Sequence, residues 1–348
     1  MSPVLHPSRV PDPTDAPAIQ WGILAPGGIA AVFAAAVAEG SRSTVVAVGS
    51  RSLDRAVAFA TRHAIPAAYG SYAEMVADDR VDAVYIASPH SEHRDHALLA
   101  LAAGKPVLVE KAFARNLAEV DEVLAAGRDA GLLVAEAMWS RYLPHYDVVR
   151  RTVAAGVLGD LVIVDADHGQ RLWPDGPRRL ADPALAGGSL LDLGVYPVSF
   201  LDMVLGPLHD LSITGTLTEA GVDASAHLVA RSESGTLARA WSTMAASTAC
   251  TAQVVGTEAR LELAGRFYAP TTLRLVAPDG SLIDEIMPPA TTHEHGFAYE
   301  AAEFARVLAA GGREPESMPH EASRRVMALL DAARAEIGVV YPRESGTR

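Results

Sequence analysis

Short apolar runs alternate with helical stretches from Ile19 to about Ala137. The runs that predict strands are IQWGILA, TVVAVGS, DAVYIAS, KPVLVEK and LLVAEAM. Strands that alternate with helices are typical of a parallel sheet covered on both faces, and unbroken apolar strands fit burial on both sides. The pattern therefore predicts an α/β domain in this half of the chain.

The rhythm changes in the second half. A helix over about 143–155 leads into the strand LVIVDADH, and an irregular segment, 170–188, precedes another helix. Between Leu211 and Met287, seven segments alternate in period two and are separated by short turns. Consecutive strands of this kind predict an antiparallel sheet in an α+β domain. Two terminal helices are expected over 296–309 and 320–337.

Length and the proline-rich start suggest the domain boundaries. A chain of 348 residues is longer than one core usually serves. The first 18 residues carry five prolines and lack the apolar core of a secretory signal. We expect a flexible tail over 1–18, a dinucleotide-binding domain over 19–140, an α+β substrate and oligomerisation domain over 141–342, and a tail over 343–348.

Charge and cysteine content narrow the functional classes. The formal net charge of -13 disfavours nucleic acid and anionic membranes, because phosphate binding depends on Lys and Arg. Cys250 is the only cysteine, so neither a disulfide framework nor a cysteine-based zinc site fits. No apolar run reaches the roughly 18 residues of a membrane span. A cytoplasmic enzyme with a small-molecule substrate is the expectation.

The first predicted strand runs into APGGIA, residues 25–30. Dinucleotide-binding folds need small residues at this point, because the backbone approaches the pyrophosphate at the start of the helix. The usual G-x-G-x-x-G/A spacing falls on Ala25, Gly27 and Ala30, and Gly28 and Ile29 lie within the turn. This context predicts a Rossmann domain that binds a nicotinamide dinucleotide. Because alanine lacks glycine's freedom, Ala25 is expected to avoid positive φ.

Two further strand ends should reach the cofactor. The second strand ends in Gly49-Ser50-Arg51-Ser52, where an NAD site would place an acidic residue. Arg51 between two hydroxyls instead favours the 2′-phosphate of NADP, with NAD possible; the alternative is a solvated arginine. Ligands bind outside the carboxyl ends of parallel strands, so residues after the fourth strand should face the cofactor. These are Ser88, Pro89, His90 and His93, although His93 could equally be a helix-terminal residue without a ligand.

Asp192 and Tyr196 stand four residues apart in GGSLLDLGVYPV, residues 187–198. On a helix this step places both side chains on one face. A phenol beside a carboxylate is a candidate proton-transfer pair. The alternatives are a core aromatic and a capping carboxylate.

The stretch VLVEKAFARNLAE, residues 107–119, resembles the glucose-fructose oxidoreductase / inositol dehydrogenase family. Its Glu-Lys-Pro motif is matched by Glu110 and Lys111, with Ala112 in place of proline. The stretches EAMWSRYLPH, GVLGD and GGSLLDLGVYPV are similar to the branch that contains dimeric dihydrodiol dehydrogenases and NADP-dependent aldose (xylose-type) dehydrogenases. In that branch Asp-x-x-x-Tyr replaces the usual Asp-x-x-x-His.

The resemblance implies that Lys111, Asp192 and Tyr196 are catalytic and that Glu110 and Lys111 adjoin the cofactor. The implied activity is NADP-dependent hydride transfer to or from a hydroxyl or carbonyl carbon of a small sugar or cyclic diol. Two alternatives stay open: an aldose–aldose oxidoreductase that retains its NADP, and a nucleotide-binding regulator without turnover. The family also implies a homodimer or homotetramer through the C-terminal sheet.

Substrate contacts are expected in three places: at the start of the second domain, in the irregular segment, and on the helix that follows it. The candidates combine aromatic and polar groups, which suits a sugar or diol: Trp139, Arg141, Tyr142, Trp173, Asp175, Asp192 and Tyr196. The residues outside GGSLLDLGVYPV have an equally good alternative explanation: the aromatic ones could pack between the domains, and the charged ones could lie on the solvated surface. His293 and His295 lack a clustered carboxylate or cysteine, so no metal site is predicted.

Overall fold

The computed structural model describes residues 4–288, 296–342 and 344. It divides into two compact units, each of which is built from separate stretches of chain. Of the described residues, the Rossmann unit contains 11–142 and 296–323, and the second unit contains 4–10, 143–288, 324–342 and 344.

The Rossmann unit contains a six-stranded parallel sheet with the order β3-β2-β1-β4-β5-β6. Its strands are β1 Gln20–Leu24, β2 Thr44–Gly49, β3 Ala67–Tyr69, β4 Ala83–Ile86, β5 Val107–Glu110 and β6 Val134–Ala137. Its helices are α1 Gly28–Gly40, α2 Leu53–His63, α3 Tyr72–Val76, α4 His93–Ala102, α5 Leu117–Ala130 and α8 Phe297–Ala309. The predicted Rossmann fold is confirmed. The pattern does not identify β3 and α3, which are too short to show a period.

An aromatic cluster forms the core of this unit. The Phe33 ring stacks on Tyr85 at a centroid distance of 3.8 Å, and Trp21 packs edge-on against Phe33 at 5.2 Å. Phe304 of α8 completes the cluster, 5.0 Å from Trp21. Aromatic side chains contribute the largest buried apolar areas in a core. The helix α8 is therefore part of the Rossmann unit, whereas the expected boundary placed it in the second domain.

The second unit contains an eight-stranded sheet with the order β14-β13-β12-β11-β7-β10-β9-β8. Its strands are β7 Leu161–Gly169, β8 Leu208–Leu217, β9 Asp223–Ser232, β10 Leu237–Thr243, β11 Ala252–Gly256, β12 Arg260–Leu263, β13 Leu273–Val276 and β14 Leu282–Ile286. All neighbouring strands are antiparallel except β7 and β10, which pair in parallel with Ala166 opposite Ala240. The prediction of a largely antiparallel sheet is confirmed.

Two helices of this unit matter for the site. The helix α6 spans Pro144–Ala154, and α7 spans Val195–Leu205 and packs against β7 and β10. A π-helical turn, Leu190–Gly194, leads directly into α7. The last helix, α9, spans His320–Ile337.

The N-terminal segment is more ordered than the expected flexible tail. Backbone N–H groups of Leu5 and Arg9 donate to Asp284 and Asp147 at 2.9 and 2.7 Å. Leu5 and Ala16 are buried. The prediction of a loose tail is wrong for residues 4–18, because two carboxylates and apolar contacts hold a segment whose prolines suggested no structure.

Among the described residues, one helical stretch, Pro183–Leu205, matches a membrane span in length and hydropathy. Of its most apolar window, 89% is buried inside the fold, as in the core helix of a globular protein.

Candidate active site

The phosphate turn of the Rossmann unit begins at Ala25. Its φ is 74°, in the left-handed region, and its N–H donates to the Gly49 carbonyl at 3.1 Å. The expectation that alanine avoids positive φ here is wrong. The turn between β1 and α1 imposes the backbone conformation, and the alanine accepts a strain of about 1–2 kcal/mol.

The start of α1 has the features of a pyrophosphate site. Gly27 is the N-cap and provides no side-chain hydrogen bond, so the first N–H groups of the helix have no capping side chain. A Cβ added at Gly28 would meet no atom within 4 Å, and one at Gly27 would meet only the Ala87 carbonyl, at 4.0 Å. Backbone donors beside open space fit an anion. The residues present therefore fit a dinucleotide, with Ile29 half-buried behind the turn.

The end of β2 presents one cation. Ser50 is buried, and its Oγ accepts a hydrogen bond from the Ser52 N–H at 3.2 Å. The Ser52 Oγ in turn caps α2 by accepting from the Arg55 N–H. Arg51 is exposed at this strand end and close enough to Tyr72 to affect its pKa, so its guanidinium is available to a 2′-phosphate.

Two residues not predicted from the sequence adjoin Arg51. The rings of Tyr72 and His96 meet edge-on with centroids 4.6 Å apart, and His96 Nδ1 lies 2.9 Å from Ser88 Oγ. Burial raises the pKa of Tyr72 and lowers that of His96. Tyr72 begins α3, which gave no periodic signal, so its place beside Arg51 could not be predicted.

His93 lies inside the unit. One ring nitrogen is 2.9 Å from the Ala112 carbonyl, and the other is 2.8 Å from the Ser88 carbonyl. Burial lowers the pKa of His93 to about 4, so the ring is neutral near pH 7 and donates to one carbonyl at a time. Its side chain thus connects the end of β4 to the segment after Lys111 through hydrogen bonds. Direct cofactor contact through this ring is not supported. His90 is also buried, with its ring edge-on to that of His93 at a centroid distance of 5.5 Å, and Pro89 separates it from Ser88.

Lys111 directly follows β5. The Tyr85 hydroxyl donates to one oxygen of the buried Glu110 carboxylate, and the Lys111 N–H donates to the other at 3.1 Å. The Lys111–Ala112 peptide bond is cis. Both carboxylate oxygens of Glu110 thus accept hydrogen bonds from the protein itself, one from a core side chain and one from the backbone. This favours a supporting role for Glu110 over contact with the cofactor.

Two further carboxyls are buried near Glu110. Burial raises the pKa of Glu136 to about 7, and Ser323 and Arg141 oppose the shift. Burial and the charge of Glu110 raise the pKa of Glu300 well above its usual range. A buried carboxyl in an apolar setting stays protonated because the charged form is poorly solvated. Glu300 comes from α8, far along the chain from Glu110 and Glu136, so no local sequence pattern predicts this cluster.

Three expected substrate contacts are packed within the Rossmann unit. Trp139 stacks on Phe297 at 4.6 Å, and Tyr142 donates to the Glu136 carbonyl at 2.8 Å. Arg141 is buried and lies close enough to Glu136 to affect its pKa. These contacts favour a packing role over the predicted substrate contact.

Asp192 and Tyr196 belong to the second unit. Asp192 lies in the π-helical turn, where the Val195 N–H reaches back five residues to the Leu190 carbonyl, and Tyr196 lies in the first turn of α7. The predicted helix is present, but its first turn is π-helical, which changes the angle between the two side chains from that of a regular α-helical step. Both side chains are largely buried.

Arg179 holds Asp192. Its Nη2 donates to Asp192 Oδ1 at 3.1 Å. Arg179 lies in the irregular segment, where the sequence singled out Trp173 and Asp175 instead. Trp173 is half-buried, with its N–H bonded to the Met244 carbonyl, whereas Asp175 is exposed and pairs only with Arg171 at 3.5 Å.

Tyr196 is enclosed by two other rings. His168 meets it edge-on at a centroid distance of 5.1 Å, and Tyr268 lies 4.9 Å away. His168 and Tyr268 stack on each other at 4.2 Å, and Gln170 Nε2 lies 2.8 Å from His168 Nε2 and donates to the Tyr268 hydroxyl at 3.0 Å. Such contacts fix the orientation of a phenol.

Within the described parts of the chain, no three His, Cys, Asp or Glu side chains are grouped as a metal site. His293 and His295 lie outside the described residues.

The fold and the glycine turn define a class of protein, a nicotinamide-dinucleotide-binding oxidoreductase with a second α+β unit. A model described as an oxidoreductase family with an NAD-binding Rossmann fold matches residues 19–138, and the C-terminal domain model of the same family matches 146–262. The chain belongs to the Gfo/Idh/MocA oxidoreductase family. It is an NAD(P)-dependent dehydrogenase that acts on CH–OH donors.

Individual relatives agree with this assignment. A trans-1,2-dihydrobenzene-1,2-diol dehydrogenase from Bos taurus is 36% identical over 94% of this chain and 99% of its own. The 3-ketoreductase KijD10 from Actinomadura kijaniata, solved with NADP and TDP-benzene, is 27% identical, with a TM-score of 0.79 over 92% of this chain and 98% of its own. An aldose–aldose oxidoreductase from Caulobacter crescentus shares the fold, with 23% identity and a TM-score of 0.81 over 92% and 98%.

Proposed function

We propose that this protein is an NADP-dependent dehydrogenase that oxidises a secondary or anomeric hydroxyl of a small cyclic diol or sugar, or catalyses the reverse reduction. The observation that carries the proposal is the setting of Tyr196, a largely buried phenol enclosed by rings one turn from an Arg179-bound carboxylate. The bovine relative adds trans-dihydrodiols as candidate substrates.

The three proposed catalytic groups have separate roles. The nicotinamide, when bound, accepts or supplies hydride. Tyr196 takes the hydroxyl proton during oxidation and returns it during reduction. A free phenol has a pKa of about 10, and the Lys111 ammonium would favour the phenolate and hydrogen-bond to the substrate oxygen. Asp192, fixed by Arg179, orients a second substrate hydroxyl.

Residues of the Rossmann unit would hold the cofactor. The N–H groups at Gly27 and Gly28 would bind the pyrophosphate, and the Arg51 guanidinium would bind the 2′-phosphate. Ser88 and Pro89, after β4, would contribute to the same site at the carboxyl ends of the strands. His93 and Glu110 contribute by holding the backbone around Lys111.

Tyr196→Phe tests the proposal most directly. Activity is measured as NADP reduction with trans-1,2-dihydrobenzene-1,2-diol, D-xylose and other pentoses, hexoses and cyclic diols, with NAD as the comparison. We expect kcat to fall by at least about 100-fold, in line with the usual contribution of a general base, with NADP affinity unchanged. Tyr268→Phe, which removes a neighbouring hydroxyl from the same ring group, is the matched control.

The outcomes separate the alternatives. Unchanged turnover in Tyr196→Phe would remove this residue from the reaction. Nucleotide retained through purification, with sugar oxidation that needs no added NADP, would indicate an aldose–aldose oxidoreductase. Nucleotide binding without turnover on any substrate would indicate a regulator.

We also propose that the protein is cytoplasmic and forms a homodimer or homotetramer through the second sheet. On the sheet face opposite α7, apolar side chains remain partly or fully exposed among ion pairs: Ile163, Val229, Leu237, Trp241 and Val255. One open face of an antiparallel sheet can serve as an interface. Light scattering that shows a pure monomer would contradict the assembly.

A further inference from the structure

Two side chains from distant parts of the second unit hold the glycine pair that precedes the π-helical turn. The Tyr341 hydroxyl donates to the Gly187 carbonyl at 2.6 Å. Asp223 Oδ2 accepts from the Leu190 N–H, also at 2.6 Å. Gly187 and Leu190 bracket the entry to the turn that carries Asp192.

Asp223 lies so close to this entry that only glycine fits beside it. Gly188 has a φ of 114°, and an added Cβ would lie 2.2 Å from Asp223 Oδ1. Both the backbone conformation and the space therefore require glycine at this position. The carboxyl and the glycine turn form one closely fitted contact.

Asp223 is fully buried at the first residue of β9. Burial raises its pKa to about 7, while the N–H groups of Leu190, Ser189 and Asp223 itself and the charge of Arg334 oppose the shift. A buried carboxyl usually costs stability compared with an apolar residue. A need for a defined turn geometry explains why a carboxyl is buried at this position better than a contribution to stability does.

Tyr341 is held just as firmly. The Arg334 guanidinium lies 4.6 Å from the centre of its ring and pairs with Asp331 and Glu344 at 2.7 and 2.9 Å. Burial raises the pKa of Tyr341 well above its usual range, so its hydroxyl remains a donor. The C-terminal segment is thereby connected to the Gly187 carbonyl.

We propose that Asp223 and Tyr341 are positioning residues for catalysis: together they fix the entry of the π-helical turn and so the placement of Asp192 and Tyr196. The proposal rests on the proposed function, in which those two side chains act on the substrate. The π-helical turn is a single wide turn at the start of α7, so the position of its first residue sets the direction of the side chains that follow. Small displacements of reacting groups are costly, since a shift of about 1 Å can lower the rate roughly 100-fold.

The test compares Asp223→Ala, Asp223→Asn and Tyr341→Phe with a matched control, Asp202→Asn. Asp202 is also buried in the second unit, near the end of α7, where its carboxylate pairs with Arg325 at 2.6 Å. The measurements are kcat and KM with trans-1,2-dihydrobenzene-1,2-diol or the most active panel substrate, NADP affinity, and hydrogen exchange of residues 187–194. All are made below the melting transition of each variant.

Asp223→Ala should lower kcat by roughly 10- to 100-fold and speed exchange of residues 187–194, with NADP affinity unchanged. Tyr341→Phe should have a smaller effect of the same kind. Asp223→Asn keeps an acceptor of the same shape and should restore most of kcat. The Asp202→Asn control should lower the melting temperature without changing kcat. Full kcat in a folded Asp223→Ala variant would overturn the proposal, as would a loss of kcat that Asp223→Asn does not reverse.

Tyr196→Phe in parallel separates this failure from that of the proposed function. A Tyr196→Phe variant that loses turnover beside a fully active Asp223→Ala variant would remove only the positioning role. If Tyr196→Phe retains turnover, the catalytic assignment fails and the positioning role with it, even where hydrogen exchange shows that Asp223 orders the turn.

Discussion

Arg179 Nη2 donates a hydrogen bond to Asp192 Oδ1 at 3.1 Å, across thirteen residues of chain. The arginine side chain is 43% exposed and the aspartate side chain 10% exposed. The pair therefore joins an accessible cation to an almost enclosed carboxylate. A cation in this position can bind one oxygen of the carboxylate and so hold the whole group in one orientation, which fixes the direction of the second oxygen.

Arg179→Ala should impair catalysis more than stability. An ion pair with one exposed partner contributes less than about 1 kcal/mol to the free energy of unfolding. Loss of the orienting bond should nevertheless lower kcat by about tenfold, because Asp192 would no longer be fixed. Steady-state kinetics and thermal melts measure both effects. Arg178→Ala, at the exposed neighbouring arginine, is the control, and kcat equal in the two variants would contradict the role given to Arg179.

The sequence predicted the fold well where apolar residues recur with the period of a helix or a strand. Apolar runs and period-two alternation predicted the strands of both sheets except β3. The position of α8 could not be predicted, because an amphipathic helix shows which face is buried but not its partner. The packing of Phe304 against Trp21 and of Phe297 against Trp139 places this helix in the Rossmann unit.

Prediction of the site was weaker, for physical reasons that differ between residues. The glycine turn was identified from its context, because it follows a strand and opens a helix within an alternating pattern of strands and helices. The positive φ of Ala25 and the π-helical turn at Asp192 are set by tertiary contacts that override local preference. Tryptophan and histidine are common in binding sites, but Trp139 and His93 are buried and make packing contacts. Burial of a single residue leaves no signal in the local sequence, so these contacts could not be predicted.

Arg51→Ala should weaken NADP binding more than NAD binding. The guanidinium is the exposed cation at the end of β2, and charge-assisted hydrogen bonds contribute about 1.5–3 kcal/mol. We therefore expect the Kd for NADP to rise by roughly 10- to 100-fold, with the Kd for NAD nearly unchanged. Fluorescence titration of both nucleotides measures the difference. Arg62→Ala, in the last turn of α2, serves as the surface-charge control. An equal loss of affinity for both nucleotides would show that Arg51 does not read the 2′-phosphate.

Ala25→Val should weaken nucleotide binding because a β-branched residue does not tolerate the left-handed backbone of the phosphate turn. Ala64 provides a matched control, since it also has a positive φ, 53°, but caps α2. Valine at either position should lower the free energy of unfolding by about 1–3 kcal/mol. Only Ala25→Val should also raise the Kd for NADP, by calorimetric titration. An unchanged Kd would mean that the Ala25 backbone does not shape the pyrophosphate site.

Glu136→Gln should make the protein more stable at alkaline pH. The pKa of Glu136 is about 7 in the fold against an ordinary value of 4.5, so the folded state binds its proton more tightly than the unfolded state. The stability from this group is complete below about pH 4.5 and is lost as the pH rises through 7. Glutamine carries no proton to lose, so the melting temperature should fall less between pH 5 and 8. The gain at pH 8 should be on the order of 1–3 kcal/mol.

Asp223 and Glu300 have raised pKa values as well, so part of the pH dependence should remain. Glu74→Gln, an exposed carboxyl on α3, should leave the wild-type curve unchanged. Parallel melting curves for Glu136→Gln and the wild type across this range would show that Glu136 ionises in the fold as it does in the unfolded chain.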